Sequence, residues 1–160
     1  MNEALVNFAA NCAMKLRREK SCCKTLQVFV QTNPHKNEEK QYMRSINVCF
    51  DVATNNTAEI IKYAGKGLDL IFRNGYNYMK CGVTLTDISD DQIIQTGLFD
   101  QCPRQKEKTL SEAIDKVNNA LGKDMVRRGI QGFSKGYRLR ADHLSSKFTT
   151  QMNEILKIKI

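Results

Sequence analysis

The sequence predicts an α+β fold: a two-layer sandwich with an antiparallel sheet and two helices on one face, followed by a helical or extended appendage. Apolar residues recur every three or four positions at 2–18 and 58–72, as on amphipathic helices. They alternate with polar residues in three other segments, as on half-buried strands. The predicted order is helix, strand, strand, helix, strand, and 160 residues allow one such domain plus an appendage.

The first helix is predicted over residues 2–18. Lys15, Arg17 and Arg18 lie in its last turn, where cations suit the negative end of the helix dipole. Its apolar face consists of Ala4, Leu5, Phe8, Ala9, Cys12 and Leu16. Residues 21–23 are interpreted as a break before the first strand.

Two alternating segments joined by a polar loop at 32–40 predict a long hairpin. Each strand is expected to have one apolar and one polar face. The polar or outward positions are Thr25, Gln27, Phe29 and Gln31 on the first strand, and Ser45, Asn47, Cys49 and Asp51 on the second.

The second helix has N-cap candidates at 55–57 and is expected to stop at Asn74 and Gly75. A third strand follows at 78–88. Its apolar side is formed by Met79, Cys81, Val83 and Leu85, and its other side by Lys80, Gly82, Thr84 and Thr86. The polar face of such a sheet is either a docking surface or, more commonly, the solvated side of a sandwich.

Three regions are predicted: a sandwich at 1–89, a linker at 90–108 and a basic C-terminal extension at 109–160. A capping box at 109–112 predicts that a third amphipathic helix begins at Thr109 and ends at Gly122. Farther on, Gly129, Gly132 and Gly136 are expected to interrupt any helix. Residues 137–140 are interpreted as a short strand.

The net charge of +8 is unevenly distributed. Residues 1–102 contain 12 Lys and Arg against 11 Asp and Glu, whereas residues 103–160 contain 13 against 6. This asymmetry favours an anionic partner for the C-terminal part, with nucleic acid as the leading candidate. A basic face that only keeps the protein soluble explains the same numbers equally well.

Several classes of protein are disfavoured by composition. The sequence has no apolar run of the length needed to span a bilayer, and its start does not resemble a secretory signal, so a cytoplasmic protein without membrane contact is expected. The six cysteines lack paired spacing and are expected to be free thiols. Because His35 and His143 are isolated from other ligand types, we expect no metal and no cofactor in this chain.

Residues 1–88 resemble the little finger domain of Y-family DNA polymerases, whose order is strand, helix, strand, strand, helix, strand and whose sheet lies along DNA. The matching segments are 13–17, 26–52, 58–72 and 78–85. Residues 144–150, Leu-Ser-Ser-Lys-Phe-Thr-Thr, resemble the L-S-P-R-Y-T-T signature of the UmuC C-terminal extension. The resemblance implies the C-terminal region of a translesion polymerase of the SOS response, with a UmuD-type accessory protein as partner.

That domain begins with a strand that has no counterpart here, so we expect the chain to be a piece of a longer protein. The catalytic palm of the family is also absent, and the chain is therefore expected to be non-catalytic. The parent polymerase would use Mg²⁺ held by clustered carboxylates. Asp87, Asp90 and Asp91 are instead interpreted as solvated residues of a loop.

Residues 95–99, Gln-Thr-Gly-Leu-Phe, resemble the Q-x-x-L-F peptide that bacterial proteins present to the sliding clamp. In this interpretation Leu98 and Phe99 would enter an apolar groove, while Gln95 would bond its rim. The alternative is that Leu98 and Phe99 pack back on the sandwich.

The predicted DNA contacts are to the backbone of damaged or primer–template DNA, because phosphate contacts give affinity without reading the bases. Phe133 or Tyr137 would stack on a further strand. The predicted contacts are Lys24, Gln27, Lys80, Thr84 and Thr86 on the sheet, and Arg127, Arg128, Lys135, Arg138, Arg140 and Lys147 in the extension.

Two other classes of function remain open on sequence grounds. One is an RNA-binding, ribosome-associated α+β module, in which Phe29 would stack on a base. The other is a small enzyme using Cys22 or Cys23, although a buried and inert thiol is the usual state of such residues.

Overall fold

The structure is a computed structural model that describes residues 1–92, 103–122, 124–133, 145–147, 149 and 155. The described part contains three α-helices, three β-strands and one 3₁₀ turn. They are α1 (Asn2–Arg18), β1 (Ser21–Thr32), β2 (Met43–Thr54), α2 (Thr57–Ile71), β3 (Tyr78–Asp90), α3 (Arg104–Leu121) and the 3₁₀ turn Gly129–Gln131. The predicted α+β class and the order of its first five elements are confirmed.

The connection between α1 and β1 is tighter than predicted. Lys20 adopts a left-handed conformation with φ of 51°, and the turn is complete there. Strand β1 therefore begins at Ser21, and Cys22 and Cys23 are fully buried within it. The interpretation of residues 21–23 as a break was wrong, because a two-residue turn is enough to reverse the chain.

Helix α2 begins as the sequence indicated. The Oδ1 atom of Asn56 accepts hydrogen bonds from the backbone N–H groups of Ala58, at 2.8 Å, and Glu59, at 3.4 Å. These bonds satisfy two of the four N–H groups that a helix leaves unpaired at its start. The helix ends at Ile71, slightly before the predicted stop, and Gly75 with φ of 86° makes the turn into β3.

The sheet has the order β2, β1, β3, and both outer strands run antiparallel to β1. Because β2 and β3 are consequently parallel to each other, α2 connects them by crossing over the central strand. Val28 in β1 lies opposite Ile46 of β2 and Val83 of β3. The apolar residues of the three strands thus share one face.

Helices α1 and α2 cover that face and form the core with it. Leu26, Val28 and Val30 are fully buried against side chains of both helices. The approach of α2 to β1 is close at Gly67, where a Cβ atom would lie 2.9 Å from Cγ2 of Val28. The opposite face of the sheet is left uncovered by the described helices.

Helix α3 begins at Arg104, five residues before the predicted start, so the capping box at Thr109 was wrong. Pro103 precedes the helix, and proline is well suited to a helix start because it has no N–H to satisfy and a fixed φ. The hydroxyl of Thr109 lies inside the helix and donates to the carbonyl oxygen of Gln105 at 3.0 Å. The division into 1–89, 90–108 and 109–160 stays a prediction.

Ion pairs attach α3 to the sandwich. Within α3 only Ser111 is buried, whereas Leu110 and Leu121 are 47% and 67% exposed. Three described pairs join it to residues 1–92: Arg17 with Asp115 at 2.7 Å, Lys108 with Asp91 at 3.5 Å and Arg104 with Glu59 at 3.6 Å. The apolar side of this amphipathic helix is therefore largely exposed to solvent in the described structure.

Over the ranges that the structure describes, no helix combines the length and apolar composition needed to cross a lipid bilayer.

Candidate nucleic-acid interface

The uncovered side of the sheet, here called the open face, consists of four rows of side chains that run from β2 through β1 to β3. Alternation along each strand places these residues opposite the core. The rows are Met43, Gln31 and Lys80; Ser45, Phe29 and Gly82; Asn47, Gln27 and Thr84; and Cys49, Thr25 and Thr86. The faces predicted from the alternating pattern are confirmed.

The middle of the open face is uncharged. Phe29 lies over Gly82, where a Cβ atom would come within 2.7 Å of two ring carbons. Only glycine leaves room for the ring to lie against β3 in this way. In the next row, the side-chain amide of Gln27 donates to Oδ1 of Asn47 at 3.0 Å.

The sequence-predicted contacts on the sheet lie on the open face, with one exception. Lys80, Thr84 and Thr86 are exposed on β3, and Gln27 is half-buried beside Thr84. Lys80 is the only charged residue of the four rows. This face therefore offers hydroxyl and amide groups to a ligand, with a single ammonium group at one end.

Lys24 is the exception. The pairing of β1 with β2 shifts between Cys23 and Thr25, and Lys24 lies at this irregularity, outside the four rows. Its side chain is exposed, and its ammonium group donates to the backbone carbonyl of Asp51. Lys24 and Lys80 consequently lie near opposite ends of the strands.

The sequence placed Asp87, Asp90 and Asp91 in a loop, which was wrong for Asp87 and Asp90, whereas Asp91 does lie in a turn after the strand. Asp87 and Asp90 belong to β3, which extends to Asp90 because its partner β1 already begins at Ser21. Asp87 has φ of 54° and accepts a hydrogen bond from the hydroxyl of Thr25.

These carboxylates do not form a metal centre with one another. Asp90 accepts from the backbone N–H of Gln92 at 2.8 Å, and Asp91 pairs with Lys108. No group of three or more His, Cys, Asp or Glu side chains that could hold a metal ion occurs among the described residues.

Arg127 and Arg128 are both half-buried and contact protein groups. Arg128 pairs with Glu107 of α3 at 2.7 Å. Arg127 donates to the carbonyl oxygens of Asp124 and Gly132, and its guanidinium lies 5.6 Å from the ring centre of Phe133. Both side chains hold the segment after α3 together, and their contact with DNA stays a prediction.

Most other predicted site residues lie outside the described part of the chain. These are the clamp residues Gln95, Leu98 and Phe99, the basic residues Lys135, Arg138 and Arg140, and the strand proposed at 137–140. Lys147 is described and exposed, and Phe133 is 84% exposed.

The environment of Cys22 and Cys23 argues against the thiol catalysis that the sequence left open for them. Burial raises the pKa of Cys22 to about 11 and the pKa of Cys23 to about 12. A thiolate is the nucleophilic form, so both groups are protonated and unreactive near neutral pH. The five described cysteines are free, and Cys49 is the exposed one among them.

Sequence reasoning missed the role of Arg17, which had been assigned only to the helix dipole. Its guanidinium bonds both carboxylate oxygens of Asp115, the carbonyl of Asn55 and the hydroxyl of Thr57. It forms one wall of a cleft of about 580 Å³ between α1 and α3. Because the two arginines Arg17 and Arg18 are adjacent, no sequence signal distinguishes the one that points inward.

Comparison with protein families gives two matches. The description of the first is the impB/mucB/samB family C-terminal domain, and it covers residues 1–98. The second is a domain of unknown function (DUF4113), and it covers residues 108–158.

The chain is also similar to individual proteins. Protein UmuC of Salmonella typhimurium is 34% identical over 160 residues, which cover 99% of this chain and 38% of that protein. Protein MucB of Escherichia coli is 33% identical over 156 residues, which cover 97% and 36%. DNA polymerase IV of Acetivibrio thermocellus is 37% identical over 86 residues, which cover 50% and 21%. The chain thus spans less than two fifths of the length of UmuC and MucB.

Proposed function

The chain belongs to the impB/mucB/samB family, as the C-terminal region of a UmuC-type protein, and from this premise we propose that it is the DNA-binding and clamp-tethering region of an error-prone translesion DNA polymerase. The observation that supports this best is the open face of the sheet. It is a largely polar surface in a domain whose relatives include a protein named DNA polymerase IV.

The DNA contact would be made to the sugar–phosphate backbone. Exposed Thr84 and Thr86 and the amide of Gln27 are neutral donors that can bond phosphate oxygens, and Lys80 adds a charge. None of these groups needs to contact a base edge, so the binding would be independent of the DNA sequence. That property suits a damaged template.

The tether would be the peptide Gln95–Thr96–Gly97–Leu98–Phe99, between the end of β3 and the start of α3. A clamp-bound peptide raises the effective concentration of the enzyme at the primer end, so a weak DNA grip suffices. The basic residues Lys135, Arg138, Arg140 and Lys147 would extend the contact to a further strand or to a partner protein. A UmuD-type accessory protein, the SOS response and a cytoplasmic location belong to the same proposal.

Phosphoryl transfer is not assigned to this chain. The Mg²⁺ that a polymerase uses requires carboxylates free to coordinate it. Among the described residues, Asp87, Asp90 and Asp91 belong to no group of three or more ligand side chains that could hold a metal ion, so they do not supply the clustered carboxylates of a two-metal site.

The DNA part is tested by measuring binding of the full chain to fluorescent primer–template DNA over a range of salt concentrations. Each neutralised phosphate should contribute about −0.9 to the slope of log affinity against log salt. With Lys80 and a few cations of the extension in contact, we expect a slope of roughly −2 to −5. A slope near zero, or tighter binding to a matched RNA duplex, would refute the proposal.

The tether is tested by clamp capture with the double variant Leu98→Ala/Phe99→Ala. A matched control makes the same two changes at Leu121 and Phe133, which are 67% and 84% exposed in the described structure. Capture should be lost in the first variant and retained in the second. Equal capture of the clamp by both variants would refute the proposed tether.

A further inference from the structure

Helix α3 turns a polar side toward the sandwich and an apolar side away from it. Ser111 is its buried residue, and Asp115 bonds Arg17 of α1. A second side of α3, here called the apolar stripe, consists of the exposed residues Leu110, Val117 and Leu121. Since successive helical residues are rotated by about 100°, these three lie within about 40° of one another and roughly 80–160° away from Ser111 and Asp115. The stripe therefore does not serve to attach α3 to the sandwich.

One family match joins α3 to the residues near the end of the sequence. The domain of unknown function covers residues 108–158 as one unit, whereas the sheet belongs to the separate match at 1–98. A unit of about 50 residues depends on the packing of its apolar side chains for stability. Among its described residues the buried ones are Ser111 and Gln131, and both are polar. The apolar core of this unit is therefore incomplete in the described part of the chain.

A second apolar segment of the same unit lies at residues 152–160. Residues 134–151 contain three Leu, Ile, Met, Val or Phe residues in 18 positions, whereas residues 152–160 contain five in nine. Alternation with Lys157 and Lys159 places three of these on one side of an extended segment, namely Leu156, Ile158 and Ile160. Ile155 belongs to the opposite side, and its side chain is exposed.

We propose that Leu156, Ile158 and Ile160 pack on the apolar stripe of α3 and complete the core of the C-terminal unit. The dimensions of the two surfaces agree. Leu110 and Leu121 are separated by about 16 Å along a helix, and Leu156 and Ile160 by about 13 Å in an extended segment. The proposal is independent of DNA binding, and it assigns the stripe to a contact within the chain.

Two other partners for these apolar side chains have different consequences. A second copy of the chain would pair its own stripe with this one, and the burial of the stripe would then depend on protein concentration. An alternating segment can also add a strand to a sheet edge, such as the edge of β3. The family matches favour α3, because they place residues 152–158 in one unit with this helix and the sheet in another.

The test compares amide hydrogen exchange in variants of the full chain. Leu156→Gln removes an apolar contact from the C-terminal segment, and Lys157→Gln is its matched control on the opposite side. Leu110→Gln changes the stripe, and Leu70→Gln is its matched control, because Leu70 is an exposed leucine of α2. The amides of β1 report in each variant whether the sandwich stays folded.

Leu156→Gln should accelerate exchange in α3 by at least about tenfold, because the helix loses an apolar contact. Leu110→Gln should have an effect of similar size. The double variant should exchange no more than about twofold faster than either single variant, because both changes remove the same contact. Both controls should stay within about twofold of the unmodified chain. Sedimentation equilibrium should give the mass of a monomer, with exchange in α3 independent of concentration.

Three results would overturn the inference. Unchanged exchange in α3 of the Leu156→Gln variant would show that the segment does not pack on this helix. Faster exchange in β3 instead of α3 would assign the segment to the edge of the sheet. A dimer whose protection of α3 is lost on dilution would assign the stripe to a second copy. The proposed DNA binding stands or fails separately, because its test measures salt dependence.

Discussion

Replacing Arg17 by methionine should destabilise the protein by about 2–3 kcal/mol, because the variant loses four hydrogen bonds but keeps an aliphatic side chain. The two bonds to Asp115 are charge-assisted, and the net contribution of a bond to a charged group is about 1.5–3 kcal/mol. Asp115 keeps 21% of its side-chain surface exposed, so water recovers part of the loss. The side chain of Arg17 is only 10% exposed, and the carbonyl of Asn55 and the hydroxyl of Thr57 lose a partner that water replaces less well.

Urea denaturation followed by circular dichroism measures the change in the free energy of unfolding. Because Arg17 joins α3 to the sandwich, amide exchange of α3 should also rise by at least about tenfold. Arg18→Met is the matched control, since Arg18 is the exposed neighbour on α1, and its effect should stay within about 0.5 kcal/mol. A double-mutant cycle with Asp115→Asn should give a coupling of about 1–2 kcal/mol. A loss below about 0.5 kcal/mol for Arg17→Met, or additive effects in the cycle, would refute this reasoning.

Two further predictions concern the sheet. Gly82→Ala should destabilise the protein by about 1–2 kcal/mol, because the new methyl group would meet the Phe29 ring, and Phe29→Ala in the same chain should remove most of this penalty when both are measured by denaturation. The pKa is raised to about 11 for Cys22 and to about 12 for Cys23. The free energy of unfolding should therefore decrease above pH 9, because there the thiols ionise only in the unfolded chain. Mass spectrometry should find alkylation at Cys49 long before Cys22, and early labelling of Cys22 would contradict this.

The sandwich could be predicted because each of its elements carries a local signal. A period of two located the strands and assigned Gln27, Lys80 and Thr84 to one face, and the N-cap of α2 followed from its asparagines. The turn at Lys20 could not be located, because a lysine in a left-handed conformation has no sequence signature. The start of β1 was misplaced for that reason, and the end of β3 with it.

Helix α3 shows a different limit of sequence reasoning. Its apolar period predicted an amphipathic helix, but the contacts that attach it to the sandwich are ion pairs between its charged residues and charged residues outside the helix. The ion pair between Arg17 and Asp115 joins positions that are 98 residues apart, so no local sequence pattern can predict it. Hydrophobic periodicity identifies a helix well, but it identifies the side that is buried only when apolar burial is what holds the helix in place.

The sequence predicted which residues belong to the candidate interface, but it did not predict which charged groups surround each of them. Alternation identified which side chains face outward, yet Lys24 and Lys80 looked equivalent in the sequence. They differ because of their neighbours in space. Lys24 is bonded to the carbonyl of Asp51, in the same region as Asp87. The row of Lys80 on the open face contains no acidic residue. Since a screened charge acts over about 8 Å, the attraction that a phosphate experiences depends on these neighbours and not on the net charge of +8. The basic excess of residues 103–160 and Lys80 on the sheet would therefore be separate contributions to the proposed DNA binding. They can be separated by their salt slopes, because neutralising Lys80 removes only one of the counterions that the whole chain would release.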